Sequence, residues 1–204
     1  NVGGDFSNSG SFNAGTGRVV FDGSAPQTVF TGGDDFYNIT FNNSGGIGAD
    51  IVLGDDMNIS NSATFTNGIV NTNGHNVIFA SGASSGSGNA NSFVDGNIRK
   101  LNFTSAFTFP SGDVNTRDIG AGNQTYKIWA PFVANPVAAT NVDVEYMFSN
   151  QGLNPWWYHD WTHEFPLTHT SDREYWKVNS GENLNVTLYW KNNDPCSIHD
   201  FCEP

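Results

Sequence analysis

The chain has 204 residues, with 8 Lys and Arg against 20 Asp and Glu, a net charge of −12. That balance argues against a nucleic-acid partner, which would need basic patches, and against an anionic membrane surface. Aromatic residues make up 14% of the chain, more than an acidic disordered chain carries, so a packed core is expected.

Taken in order, the first half breaks into short apolar runs. They are Val19–Phe21, Thr28–Phe30, Tyr37–Phe41, Ile51–Leu53, Met57–Ile59, Ala63–Phe65, Gly68–Val70, Asn76–Phe79, Ser92–Val94, Asn97–Leu101 and Ala106–Phe109. Asn-Gly and Gly-Gly pairs such as Asn67-Gly68, Asn73-Gly74 and Gly45-Gly46 stand between them as turn signals. The runs are rich in β-branched and aromatic residues and too short for helices, so residues 1–111 read as all-β. Strands this short and this regularly spaced fit a parallel β-solenoid (β-helix), with a short-stranded β-sandwich as the competing fold. The expected inward residues are Val20, Val29, Ile39, Phe41, Val52, Ile59, Phe65, Ile69, Val77, Phe79, Val94 and Ile98. Corner residues Asn38, Asn42, Asn58, Asn71 and Asn76 are placed to hydrogen-bond to equivalents one coil away.

Composition shifts at Pro110-Ser111-Gly112-Asp113, after which the strand-like runs lengthen. These are Tyr126–Phe132, Asn141–Phe148, Arg173–Val178 and Leu184–Trp190. Val142, Val144, Tyr146 and Phe148 alternate with polar residues, the period-two pattern of strands buried on one face. Residues 112–204 therefore read as a β-sandwich-like domain abutting the solenoid. No stretch approaches the ~18 apolar residues of a membrane span. Asn1 at the start and Cys202-Glu203-Pro204 at the end suggest an internal piece of a longer chain, truncated within its second domain.

The segments FNAGTGRVVFDGSAPQTV (Phe12–Val29), FYNITFNNSGG (Phe36–Gly46) and TNGIVNTNGHNVIF (Thr66–Phe79) resemble repetitive surface proteins of Bacteroidota. FVDGNIRK (Phe93–Lys100), FTFPSGD (Phe107–Asp113), PLTHTSDREYWKVN (Pro166–Asn179) and VTLYWKN (Val186–Asn192) resemble the domain that follows such repeats. The family comprises large adhesin-like proteins, often cargo of the type IX secretion system. The resemblance implies a secreted or cell-surface location and contact with the secretion machinery during export. It specifies no reaction, and no C-terminal sorting domain is visible.

The densest constellation is Asn154–Pro166, which gathers Trp156, Trp157, Tyr158, Trp161 and Phe165 with His159, Asp160, His163 and Glu164. Exposed indoles stack on the apolar face of a sugar ring, so Trp156, Trp157, Tyr158, His159, Asp160, Trp161 and His163 are candidate glycan or partner contacts. The plainer alternative is that the rings cap a core. His159 and His163 have helical spacing for a metal, but the segment lacks HExxH and is boxed by Pro155 and Pro166. Asp34-Asp35 and Asp55-Asp56 are oxygen-rich corners, candidates for calcium, with solvated carboxylates the preferred reading. Cys196 and Cys202 are expected to form a local disulfide, whose small ring would contribute roughly 2 kcal/mol.

Enzymatic readings fare poorly. Up to Ile98 the chain has eight Asp and one Arg, a net of −7, which would repel a uronate substrate. Glu145, Asp160 and Glu164 are the carboxylates a glycosidase could use, but nothing in the spacing pairs them across a sugar. Gly82-Ala83-Ser84-Ser85-Gly86 spells GxSxG, but this Gly-rich segment lacks the strand–loop–helix context that motif requires, and no HExxH or catalytic Cys with a partnered His is present. The expectation is a non-catalytic, structural or adhesive module of an extracellular surface protein. The alternative is a carbohydrate-binding module or a non-catalytic part of a secreted polysaccharide-degrading enzyme.

Overall fold

The computed structural model of the chain describes residues 1–45, 50–118, 123–148 and 174–189. They form about four turns of parallel β-solenoid followed by antiparallel strands, and among them there is no helix. In chain order, β1 (Phe6–Ser7), β2 (Arg18–Phe21), β3 (Gln27–Phe30), β4 (Asp35–Asn42) and β5 (Ile51–Leu53) are followed by β6 (Met57–Asn67) and β7 (Val70–Phe79). Then β8 (Ser84–Ser85) and β9 (Val94–Phe103) complete the solenoid. Its continuation is β10 (Phe107–Phe109), β11 (Ser111–Asp118), β12 (Asn123–Trp129), β13 (Phe132–Pro136), β14 (Thr140–Phe148), β15 (Glu174–Ser180) and β16 (Leu184–Leu188).

The solenoid has three faces. On the first, β1, β3, β5 and the starts of β7 and β9 stack in parallel, with Phe6 against Val29, Val29 against Leu53, and Val70 against Val94. The second stacks β2, the later halves of β4 and β6, and β8, and carries an aromatic column of Phe21, Phe41 and Phe65. Neighbouring rings in that column lie 6.4 and 5.0 Å apart. The third joins the starts of β4 and β6 to the ends of β7 and β9, aligning Phe36, Ile59, Phe79 and Lys100. Several strands therefore turn a corner without breaking: β4, β7 and β9 each serve two faces, and the ladder shifts register at the bends.

Most of the expected inward positions are buried, among them Val29, Ile39, Phe41, Ile59, Val77, Phe79, Val94 and Ile98. Val20 and Val52 instead point outward and are half-buried, while Phe21, Ile51 and Leu53 fill the core. A run of consecutive apolar residues does not fix which face is inside, and a shift of one residue inverts the pattern. The expected Asn contacts between turns form at three of the five corners. Asn61 Nδ2 donates to Asn38 Oδ1 at 2.7 Å, Asn97 Nδ2 to Asn76 Oδ1 at 2.6 Å, and Asn71 Nδ2 to Asp95 Oδ2 at 3.5 Å.

After β9 the sheets continue, but their direction reverses. β11 adds in parallel to β9 through Ser111–Val94 and Gly112–Asp95, then turns back antiparallel as β12. On the third face β14 pairs antiparallel with β9, and β15 with β14. β10, β13 and β16 form a separate antiparallel sheet. One apolar core runs from Phe21 through Phe109 to Val144, with Leu184 and Leu188 packed against it. Ser111, at the expected domain boundary, is itself fully buried. A smaller cluster of Ile128, Ala130, Tyr146 and Phe148 lies beside it. Gly96, at the corner of β9, has φ +120°, and a Cβ there would sit 1.9 Å from Thr72 Oγ1, so the bend requires glycine.

Candidate functional site

The solenoid corners hold the acidic residues singled out from the sequence. Asp34 Oδ2 accepts from Asn8 Nδ2 at 2.8 Å and from the Phe12 amide at 2.6 Å. Asp55 accepts the Thr31 and Gly32 amides, both at 2.7 Å, and the Thr31 hydroxyl at 3.1 Å. Asp56 Oδ1 accepts the Asn76 amide at 2.8 Å and its Nδ2 at 2.9 Å. Each carboxylate therefore ties its own corner to that of a neighbouring turn. Charge-assisted bonds to backbone N–H are the strong class of hydrogen bond. Corner amides left over from the ladders need acceptors, and these partly exposed carboxylates supply them. Among the described residues no group of three or more His, Cys, Asp or Glu is placed to hold a metal.

Asp35 is exposed and lines an open depression of ≈ 370 Å³ with Tyr37, Ser60 and the Ser11–Gly15 turn.

Buried polar groups gather elsewhere. Asp50 is 4% exposed; its Oδ2 accepts the Ile69 amide at 3.1 Å, its Oδ1 has no hydrogen-bond partner among the described residues, and burial pushes its pKa up. Lys100, 2% exposed, takes the place of an apolar residue in the third-face column. Its ammonium donates to the carbonyls of Ala80, Ser81 and Ala83 and sits 4.9 Å from the centre of the Phe107 ring. Burial pushes its pKa down to about 8. Where the solenoid meets the antiparallel strands, Asp113 Oδ2 accepts the Phe148 amide at 2.7 Å, and burial pushes the pKa of Asp95 up to about 7 and that of Asp113 up as well. Neither Lys100 nor either aspartate is flagged by any motif. Lys100 sits in the unremarkable string Asn97–Leu101, and the two aspartates are eighteen positions apart.

Trp156, Trp157, Tyr158, His159, Asp160, Trp161 and His163 lie outside the described residues, as do Cys196 and Cys202. Comparison with protein-family models, with curated proteins and with solved structures finds no match to this chain.

Proposed function

We propose that the chain is a non-catalytic, load-bearing module of a large extracellular adhesin-like surface protein, a stiff acidic stalk. The observation that carries this reading is the bonding between turns. Corner carboxylates, Asn side chains and parallel ladders all connect one turn to the next, along the axis a stalk would be pulled. Such bonds lie parallel to that axis and are loaded in tension, turn against turn, when the ends are drawn apart. The acidic surface repels copies of itself and keeps a long array soluble. Export to the bacterial surface by the type IX route belongs to the same reading and is supported by the sequence resemblance alone.

Single-molecule stretching from the two ends tests it. The expected result is a series of discrete rupture steps as turns part from one another; smooth lengthening without steps would rule the stalk out. Glycan or partner contact through Trp156, Trp157 and Trp161 is a separable part of the proposal. It requires that alanine substitutions there abolish binding on a glycan array while leaving the melting temperature unchanged. A Cys196–Cys202 disulfide predicts two thiols that alkylate only after reduction.

A further inference from the structure

The chain carries two Asn-Gly pairs, Asn67-Gly68 and Asn73-Gly74. Such a pair is open to a reaction within the chain itself, because glycine has no side chain to keep its nitrogen away from the asparagine Cγ. The nitrogen must first lose its proton and then reach that carbon. The fold treats the two pairs in opposite ways.

Gly68 is buried, and a Cβ there would stand 3.0 Å from the Asn43 carbonyl oxygen. Its amide donates to the Asn91 carbonyl at 2.9 Å and to Asn67 Oδ1 at 3.1 Å, so two oxygens hold the proton that would have to leave. Asn73 and Gly74 are both exposed. They lie at the corner of β7, where the ladder to β9 jumps from Asn71–Asp95 to Asn76–Asn97, five residue steps against two. Residues 72–75 therefore loop out of that ladder. Asn73 and Gly74 have φ of 52° and 85°, the signs of a tight Asn-Gly turn, and a Cβ on Gly74 would meet nothing within 4 Å. The Asn73 side chain is tethered by a long bond, Nδ2 to the Leu53 carbonyl at 3.3 Å.

We propose that Asn73-Gly74 is a self-modifying site, converting without an enzyme to aspartate and isoaspartate while the fold preserves Asn67-Gly68. The steps need only water and hydroxide. Hydroxide removes the Gly74 amide proton, the nitrogen bonds to Asn73 Cγ, and the Cγ–Nδ2 bond breaks. Nδ2 leaves as ammonia, taking a proton from water. Water then opens the five-membered imide. Breaking the bond from nitrogen to Cγ gives aspartate; breaking the bond from nitrogen to the backbone carbonyl carbon gives isoaspartate, with the chain rerouted through the side chain. The product adds one negative charge to the chain's −12 and no longer donates to the Leu53 carbonyl, so one link between turns is lost. Isoaspartate also lengthens the backbone by one carbon. A corner already looped out of its ladder absorbs that carbon, whereas a paired strand would lose its register.

The test incubates the whole chain at mildly alkaline pH, both native and unfolded in guanidinium, and reads each Asn-Gly peptide by mass spectrometry after digestion. In the native chain the Asn73 peptide should gain one mass unit and split into two forms at least about tenfold faster than the Asn67 peptide, since each hydrogen bond that must open first thins the reactive population several-fold. In guanidinium the two rates should converge. Asn73→Gln, with its longer side chain, should remove the acidic species that isoelectric focusing detects in the aged native chain. Equal native rates at the two pairs would overturn the proposal. So would an Asn73 peptide that stays intact in the native chain while it converts in guanidinium. Should Asn73→Gln not fold, the comparison of native with unfolded wild type decides the matter alone.

Discussion

The solenoid turns and the antiparallel strands that follow satisfy their negative charges in opposite ways. In the turns, Asp34, Asp55 and Asp56 accept backbone amides from neighbouring corners. In the antiparallel region, Asp143 and Glu145 pair with Arg99 and Lys177. Sequence supply explains part of the contrast, because Arg18 is the only basic residue before Arg99. Geometry explains the rest. A solenoid corner leaves amides with no strand partner, whereas the amides of an antiparallel ribbon are consumed in its own ladder. An acidic chain can thus be folded without cations if its acids fall at corners.

Whether the two regions unfold as one body is the sharpest way to break this comparison. The six Trp all follow the solenoid strands in sequence, from Trp129 onward, so their fluorescence reports on the second half of the chain and, through the Trp129 Nε1 bond to the Ser87 carbonyl, on its junction with the first. Phe41→Ala removes the middle ring of the first region's aromatic column and should destabilise by about 3–5 kcal/mol in urea titration. Because the core is continuous, the Trp-detected midpoint should fall with it; an unshifted Trp transition would make the regions independent. Gly96→Ala should cost roughly 3 kcal/mol, from the backbone conformation and the collision with Thr72 together. Asp55→Ala strips three donors of their acceptor and should cost about 2 kcal/mol by thermal unfolding.

Lys100→Met should lose about 1 kcal/mol near pH 7, the vacated carbonyls outweighing the relief of burying a charge. The pH profile distinguishes this from simple repacking. An unfolded lysine keeps its proton to 10.5 and the folded one releases it near 8, so the unfolded state binds more protons in that window. Wild-type stability should therefore rise from pH 8 toward 10 relative to Lys100→Met, and parallel profiles would refute the assignment. Lys177→Ala, at an ion pair whose lysine side chain is 72% exposed, should shift stability by no more than about 0.5 kcal/mol.

The solenoid was legible because its signal is repetition. Ile51–Leu53 matches its strand residue for residue, and Val19–Phe21, Thr28–Phe30 and Tyr37–Phe41 fall within theirs. The corners were harder. Met57–Ile59 and Ala63–Phe65 read as two strands but are one, since the chain bends across Ser60–Ser62 with only a shift of register against β4. β11 was hidden because Ser111-Gly112-Asp113 has the composition of a linker, yet close packing there demands small residues: a Cβ on Gly112 would meet the Phe93 ring at 2.5 Å. The Tyr126–Phe132 run spans two strands divided at Ala130-Pro131. The Lys100 cage was illegible for a different reason. It depends on carbonyls distant in sequence, and no local pattern encodes such a meeting.

Repeated turns carry a hazard of mistaken identity: each offers its neighbour nearly the same edge, so a chain could close one whole turn out of frame and still bury apolar side chains. Lys100 makes one turn non-interchangeable. Its column reads Phe36, Ile59, Phe79, and only then an ammonium, for which the Ala80–Ala83 corner holds out three carbonyls. Moved by one turn, that charge would meet a different corner. A single lysine thereby indexes the stack, much as one buried polar residue fixes the alignment of a coiled coil.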